Sequence, residues 1–215
     1  MEIEHEYLII ASKASMLAII LGINLIFFFT LLVFSGLINK RKTRELRNAN
    51  LKSQLDPLTS LYNRRGFEEA LLFSNMTSGY LLLADIDNFK NVNDIYGHQS
   101  GDNVLCEVAE RLSNNVRDFD ILARFGGEEF IIFFPTKSEE AAVLFSQRLI
   151  RVIAENSFFI SSYNINLKIT MSLGAVYVEN INFNFDTAYK LADESLYMAK
   201  KQGKNRMCLS QRDLS

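Results

Sequence analysis

Between Ala14 and Ile38 the chain carries no formal charge and is dominated by Leu, Ile and Phe. Beyond it, apolar residues return only in shorter blocks set between polar stretches. As a helix, this 25-residue run reaches about 37 Å at roughly 1.5 Å per residue, enough to cross a hydrocarbon core of about 30 Å with some tilt. Gly22, Asn24 and Gly36 interrupt it without ending it. The run is too long for the apolar centre of a cleaved leader, and its basic residues follow rather than precede it. Lys40, Arg41, Lys42, Arg44 and Arg47 come after the span, whereas Glu2, Glu4 and Glu6 stand before it with Lys13. That asymmetry predicts a short N-terminus (1–13) outside, a membrane helix over 14–38 and the remainder in the cytoplasm. About 13 residues are too few for a folded sensor.

Residues 39–55 are polar and helix-compatible, with Leu46, Leu51 and Leu55 as the apolar positions. Their spacing gives no clean heptad, so a basic helical linker is expected, either a stalk continuing the span or a coiled coil. Asp56-Pro57 ends it, because proline disfavours helix in the residue before it. From 56 to 215 helical and extended patterns alternate. Helices are predicted over Arg64–Phe73, Asn88–Tyr96, Asp102–Asn114, Ser138–Ala154 and Asp186–Lys201. Gly79 precedes Tyr80-Leu81-Leu82-Leu83-Ala84, a continuous apolar run expected of a buried strand. Ile121-Leu122-Ala123 and Ile131-Ile132-Phe133-Phe134 flank Gly126-Gly127 and read as a hairpin. Ile165–Val178 is expected to be extended, and Asn205–Leu209 a last edge strand. The fold class is therefore α+β: a central, mostly antiparallel sheet flanked by helices.

A formal charge of −2 over 215 residues offers no concentrated basic surface, and a nucleic-acid partner is not expected. Cys106 and Cys208 have no metal-type spacing; Cys106, among Val104, Leu105 and Val108, is expected as a packed free thiol.

Several segments carry candidate chemistry. Asp85 and Asp87 follow the apolar run, where a strand end delivers side chains to a crevice; Asp87 can equally cap the next helix. Gly97-His98-Gln99-Ser100-Gly101-Asp102 reads as a tight loop before a helix, with Asp102 a natural N-cap and His98 a loop residue. Glu128 and Glu129 follow two glycines that let backbone approach a ligand, and such acids can hold a hard cation. Lys200, Lys201 and Lys204 bring cations to a helix end. Arg117 and Asp120 are spaced like an ordinary solvated pair.

Together these segments resemble the GGDEF family of diguanylate cyclases. The resemblance rests on Gly126-Gly127-Glu128-Glu129-Phe130, on Asp85-Ile86-Asp87-Asn88-Phe89-Lys90 with Asn93-Asp94, and on Gly97-His98-x-x-Gly101-Asp102-x-x-Leu105. Ala199-Lys200 with Gly203-Lys204-Asn205 and the entry stretch Asp56-Pro57-Leu58-Thr59-Ser60-Leu61 complete it. Two departures stand out: Lys204 replaces an Arg, keeping charge but losing bidentate geometry, and Ser60 stands where Gly is common. The resemblance implies that Asp85, Glu128 and the Ile86 carbonyl ligate Mg²⁺, with Mn²⁺ as a substitute; Glu129, in the same turn, is expected to orient either the nucleophile or a metal-bound water. It implies substrate contacts from Phe89, Asn93, Asp102, Lys200 and Lys204. Carboxylate and amide acceptors facing guanine N1–H and N2–H₂ would select guanine over adenine. It also implies an inhibitory product site at Arg117 and Asp120, the latter separated from Gly126 by five intervening residues, joined by Arg148. The implied activity is condensation of two GTP into cyclic di-GMP by a homodimer at a bacterial cytoplasmic membrane. A catalytically silent domain that binds GTP or cyclic di-GMP is the alternative.

Overall fold

The computed structural model describes residues 54–74, 76 and 78–211, with isolated positions at 16, 28–32, 34–35 and 40–41. Most of the expected span over 14–38 and of the linker over 39–55 lies outside the described residues. Among those described, no helix is long and apolar enough to cross a membrane. The chain divides into two units, Met1–Lys52 and Ser53–Ser215.

The elements of the second unit are α1 (Arg64–Phe73), β1 (Gly79–Ile86), α2 (Phe89–Tyr96), α3 (His98–Ser113), β2 (Ile121–Gly126), β3 (Glu129–Phe134), α4 (Glu139–Glu155), β4 (Phe158–Ile160), β5 (Ile165–Leu167), β6 (Met171–Val178), α5 (Ile181–Lys201) and β7 (Met207–Leu209). The main sheet has five strands in the order β2-β3-β1-β6-β7. All its pairings are antiparallel except β6 with β7. The apolar run is its centre: every residue of β1 is buried, as a strand paired on both edges and covered on both faces must be.

Alternation along β1 sorts the two faces. Leu82, Ala84 and Ile86 meet Val104, Leu105, Val108 and Leu112 of α3 and Phe145 and Leu149 of α4. Leu81 and Leu83 meet Phe67 and Leu71 of α1 and Leu191, Ala192 and Leu196 of α5. Cys106 is a free thiol, partly buried, whose Sγ donates to the Leu58 carbonyl.

Helix α1, the hairpin and α4 form where the periodicity predicts, with Ser138 capping α4 through Ala141 N–H. Other boundaries differ. Helix α3 begins at His98, four residues ahead of expectation, because Gly97 (φ 79°) makes the whole reversal as its N-cap. Gly101 is thus helical, His98 is the first residue of a helix rather than of a loop, and Asp102 is no N-cap. The extended stretch over 165–178 is two strands: β5 leaves to pair with β4 in a separate two-stranded sheet, and only β6 joins the main one. Helix α5 starts five residues before Asp186. Ser60 takes φ 61°, a left-handed conformation that a glycine enters without steric cost.

Candidate active site

The site gathers at one end of β1. Antiparallel register sets Asp85 opposite Glu129 on one side and Ser172 on the other. The Ile86 N–H points at the Glu128 carbonyl, 3.4 Å away. Gly127 turns the hairpin in the left-handed region (φ 47°), which brings Glu128 back over the strand end. Asp85 is 6% exposed, and burial, opposed by Lys200 and reinforced by Asp87, lifts its carboxyl above the ordinary range. Burial first and Asp85 second raise Glu128. Burial, Asp85 and Asp193 raise Glu129. Three carboxyls from two distant points of the chain therefore share one electrostatic neighbourhood, in which Asp85 disfavours the charge of both glutamates.

Positive charge reaches them from α5 and the turn after it. Lys200 Nζ lies 2.8 Å from Asp85 Oδ1. Gly203, Lys204 and Asn205 all have positive φ (115°, 61° and 50°), a reversal that carries Lys204 to the rim, where its ammonium donates to Asn88 Oδ1.

Asp87 does not cap α2. Asn88 is the N-cap, itself left-handed (φ 59°) and without a side-chain capping bond. The buried Asp87 carboxylate instead accepts from Thr170 Oγ1 (2.7 Å), Ser172 Oγ (2.7 Å) and Asn205 N–H (3.0 Å). It is a structural anchor that ties β6 and the α5–β7 turn to the end of β1. The only signal of this in the sequence is a pair of hydroxyls, Thr170 just before β6 and Ser172 within that otherwise largely apolar strand.

Arg124 is a residue that the motifs do not single out. Its Nε and Nη2 donate to the Gly127 carbonyl at 3.0 and 2.8 Å, and its Nη1 pairs with Asp56 Oδ1 at 3.0 Å. Asp56 also accepts from Thr59 N–H and Oγ1, so one guanidinium links the domain's entry turn to the acidic hairpin. Burial opposes ionisation of Asp56, but the bonds from Thr59 and Arg124 outweigh it and hold its carboxyl below the ordinary 3.8.

Asn93 lies at the corner of α2 and α3, against Gly101, the residue before Asp102. A Cβ on Gly101 would fall 1.9 Å from Asn93 Oδ1, so the glycine is what admits that side chain. Phe89 is turned into the core at 4% exposure and seats this corner.

Arg117, Asp120 and Arg148 form a second cluster. Asp120 Oδ2 accepts from Arg117 N–H at 2.8 Å, while Arg148 Nη2 donates to the Asn115 carbonyl. Burial raises the Asp120 carboxyl against the pull of Arg117 and Arg148. Asp120 Oδ1 and Arg148 Nε are buried without hydrogen-bond partners. Arg117 lies over Phe119 and Phe134 at 5.5 and 5.8 Å from the ring centres.

For a divalent cation the donors are hard oxygens, the type Mg²⁺ and Mn²⁺ take: two carboxylates, Asp85 and Glu128, with the carbonyl of Ile86. Among the described residues no three Asp, Glu, His or Cys side chains group as a metal site. An ammonium already sits against Asp85, so the position accepts positive charge. The residues fit the ion.

An antiparallel-centred sheet under helices, with acids at a hairpin turn and lysines opposite, defines a palm-like α+β domain. Residues 53–206 match the family described as diguanylate cyclase, GGDEF domain, and the chain belongs to that family. It is 40% identical over 137 residues to diguanylate cyclase A of Treponema denticola, covering 62% of this chain and 36% of that protein. With the response regulator PleD of Caulobacter vibrioides it shares 37% over 177 residues, 77% of this chain and 39% of PleD. The chain spans 56%, 31% and 36% of the length of three such relatives, YhcK and YtrP of Bacillus subtilis and diguanylate cyclase A. Among solved structures, the coiled coil and GGDEF domain of DgcB from Caulobacter crescentus, in complex with c-di-GMP, superposes with a TM-score of 0.73 at 27% identity, covering 83% of this chain and 96% of that one. The active GGEEF domain of a Vibrio cholerae diguanylate cyclase gives 0.59 at 31%, covering 70% and 98%.

Proposed function

We propose that this protein is a membrane-anchored diguanylate cyclase that condenses two GTP into cyclic di-GMP and releases two pyrophosphates. The observation that carries this reading is the meeting of Asp85, the Glu128-Glu129 turn and Lys200 at one strand end. Each domain holds one GTP, and two domains face each other. The 3′-oxygen of one nucleotide bonds to the α-phosphorus of the other, the bond to the bridging oxygen of pyrophosphate breaks, and the event repeats in the opposite sense.

Asn93 and Asp102 accept from the guanine edge and exclude adenine, which lacks the matching donors. Lys200 and Lys204 hold the phosphates, Lys204 as a point charge and not a fork. Glu129, whose proton affinity burial and neighbouring acids raise, takes the 3′-hydroxyl proton. Asp85, the Ile86 carbonyl and Glu128 hold Mg²⁺ or Mn²⁺, which supplies Lewis acidity at the reacting phosphate. Because each active face takes half its substrate from the partner, the homodimer is the catalytic unit.

Cyclic di-GMP binds back at Arg117, Asp120 and Arg148, where a buried carboxylate oxygen and a guanidinium nitrogen lack partners, and guanidinium groups suit phosphate. The uncharged run over 14–38 anchors the protein, and carbonate-resistant sedimentation with membranes tests that. The central test is incubation of the purified full chain with GTP and Mg²⁺ followed by chromatography: cyclic di-GMP and pyrophosphate are expected, and their absence refutes the reading.

A further inference from the structure

One ammonium serves three carboxyls borne by other elements. Lys200 Nζ touches Asp85, and its charge also lowers the cost of ionising Glu128 and Glu129. Its exposure differs from that of its partner: the Asp85 side chain, on a central strand, is 9% exposed, whereas Lys200 is 35% exposed and ends a four-carbon stem with rotatable bonds. Asp85 is its one ion-pair partner among the described residues. Lys204, by contrast, is tied to Asn88 at the rim.

The oxygen that Lys200 occupies belongs to the set proposed to hold the divalent cation, so the inference rests on that reading. Two cations drawing on one carboxylate oxygen within a few ångströms repel each other strongly where water is scarce. A triphosphate offers the ammonium a richer set of charged acceptors than one carboxylate does. We propose that Lys200 is a tethered counter-ion that holds the metal seat in the nucleotide-free domain and yields it when a nucleoside triphosphate draws the ammonium away. Metal and nucleotide then bind cooperatively, and the coupling is reciprocal. A domain without nucleotide stays largely metal-free, and GTP arrives with its cation.

The test is Mn²⁺ binding by the full chain in detergent, read from the paramagnetic resonance signal of free Mn²⁺. It is run with and without 3′-deoxy-GTP, which lacks the attacking hydroxyl. Lys200→Met is expected to bind Mn²⁺ roughly 5–150-fold more tightly than wild type without nucleotide, the usual span of such couplings, and to gain little more when nucleotide is added. Lys200→Gln serves as the second variant. Unchanged or weaker nucleotide-free binding in both, while nucleotide still recruits Mn²⁺ to wild type, overturns the counter-ion role and leaves the metal seat standing. Failure of both variants to fold also overturns it, since the pair is then a permanent structural element. If wild type takes no Mn²⁺ even with nucleotide, or Glu128→Gln binds it normally, the metal seat itself falls and the counter-ion role falls with it.

Discussion

Replacing Arg124 by Ala removes two donors from the Gly127 carbonyl and the guanidinium partner of Asp56. A hydrogen bond from a charged donor contributes about 1.5–3 kcal/mol. The pair with Asp56 adds less, because Thr59 keeps donating to that carboxylate. The expected loss is about 2–4 kcal/mol of unfolding free energy, or a melting temperature lower by roughly 5–15 °C. The acidic turn loses its brace as well, and a displacement of about 1 Å at reacting groups costs up to roughly 10²-fold in rate. Turnover should therefore fall at least about tenfold with the KM for GTP little changed, since Asn93 and Asp102 stand elsewhere. Arg124→Lys keeps a charge near Asp56 but not the fork, and should be intermediate. The sign of the pH dependence is set by Asp56. A carboxyl held below 3.8 in the fold stabilises above that pH and loses its contribution as pH falls through the lowered value. The stability gap between wild type and Arg124→Ala should accordingly be full near neutrality and narrow in acid. Urea unfolding at several pH values, with initial rates at pH 7, measures all of this. An Arg124→Ala protein with wild-type stability and wild-type turnover would refute the linkage.

Glu128→Gln should abolish cyclic di-GMP formation while unfolding at the same or a higher urea midpoint, because it removes a charge that Asp85 disfavours; retained turnover counts against the metal assignment. Asp87→Ala should cost about 3–5 kcal/mol in urea unfolding, since it strands two hydroxyls and the Asn205 N–H; a loss under about 1 kcal/mol would show that those donors find other acceptors. Arg117→Ala should keep the initial rate and lose the slowing that accompanies accumulating product, a change visible in full progress curves.

The central strand and the hairpin are legible in the sequence because their cause is local: an unbroken apolar run, and two glycines between apolar blocks. Asp85, Glu128 and Lys200 are legible only as separate segments of a resemblance, and register and the α5–β7 reversal are what unite them. The start of α3 is easily misplaced because Gly101 reads as a breaker, although in the fold it stays helical and its missing side chain makes room for Asn93. The role of Asp87 is hidden because its donors lie 83 to 118 residues further along. Arg124 is hidden for the same reason: Asp56 is 68 residues away.

The bond from Asn205 to Asp87 has a consequence for biosynthesis. A ribosome releases β1 more than a hundred residues before the amide that completes its anchorage. Until α5 and the reversal behind it have emerged, the nascent domain holds a cluster of acids with no lysine to balance them. Chains cut short within the last helix should thus be recognised as defective by cellular proteases, however much of the sheet they contain.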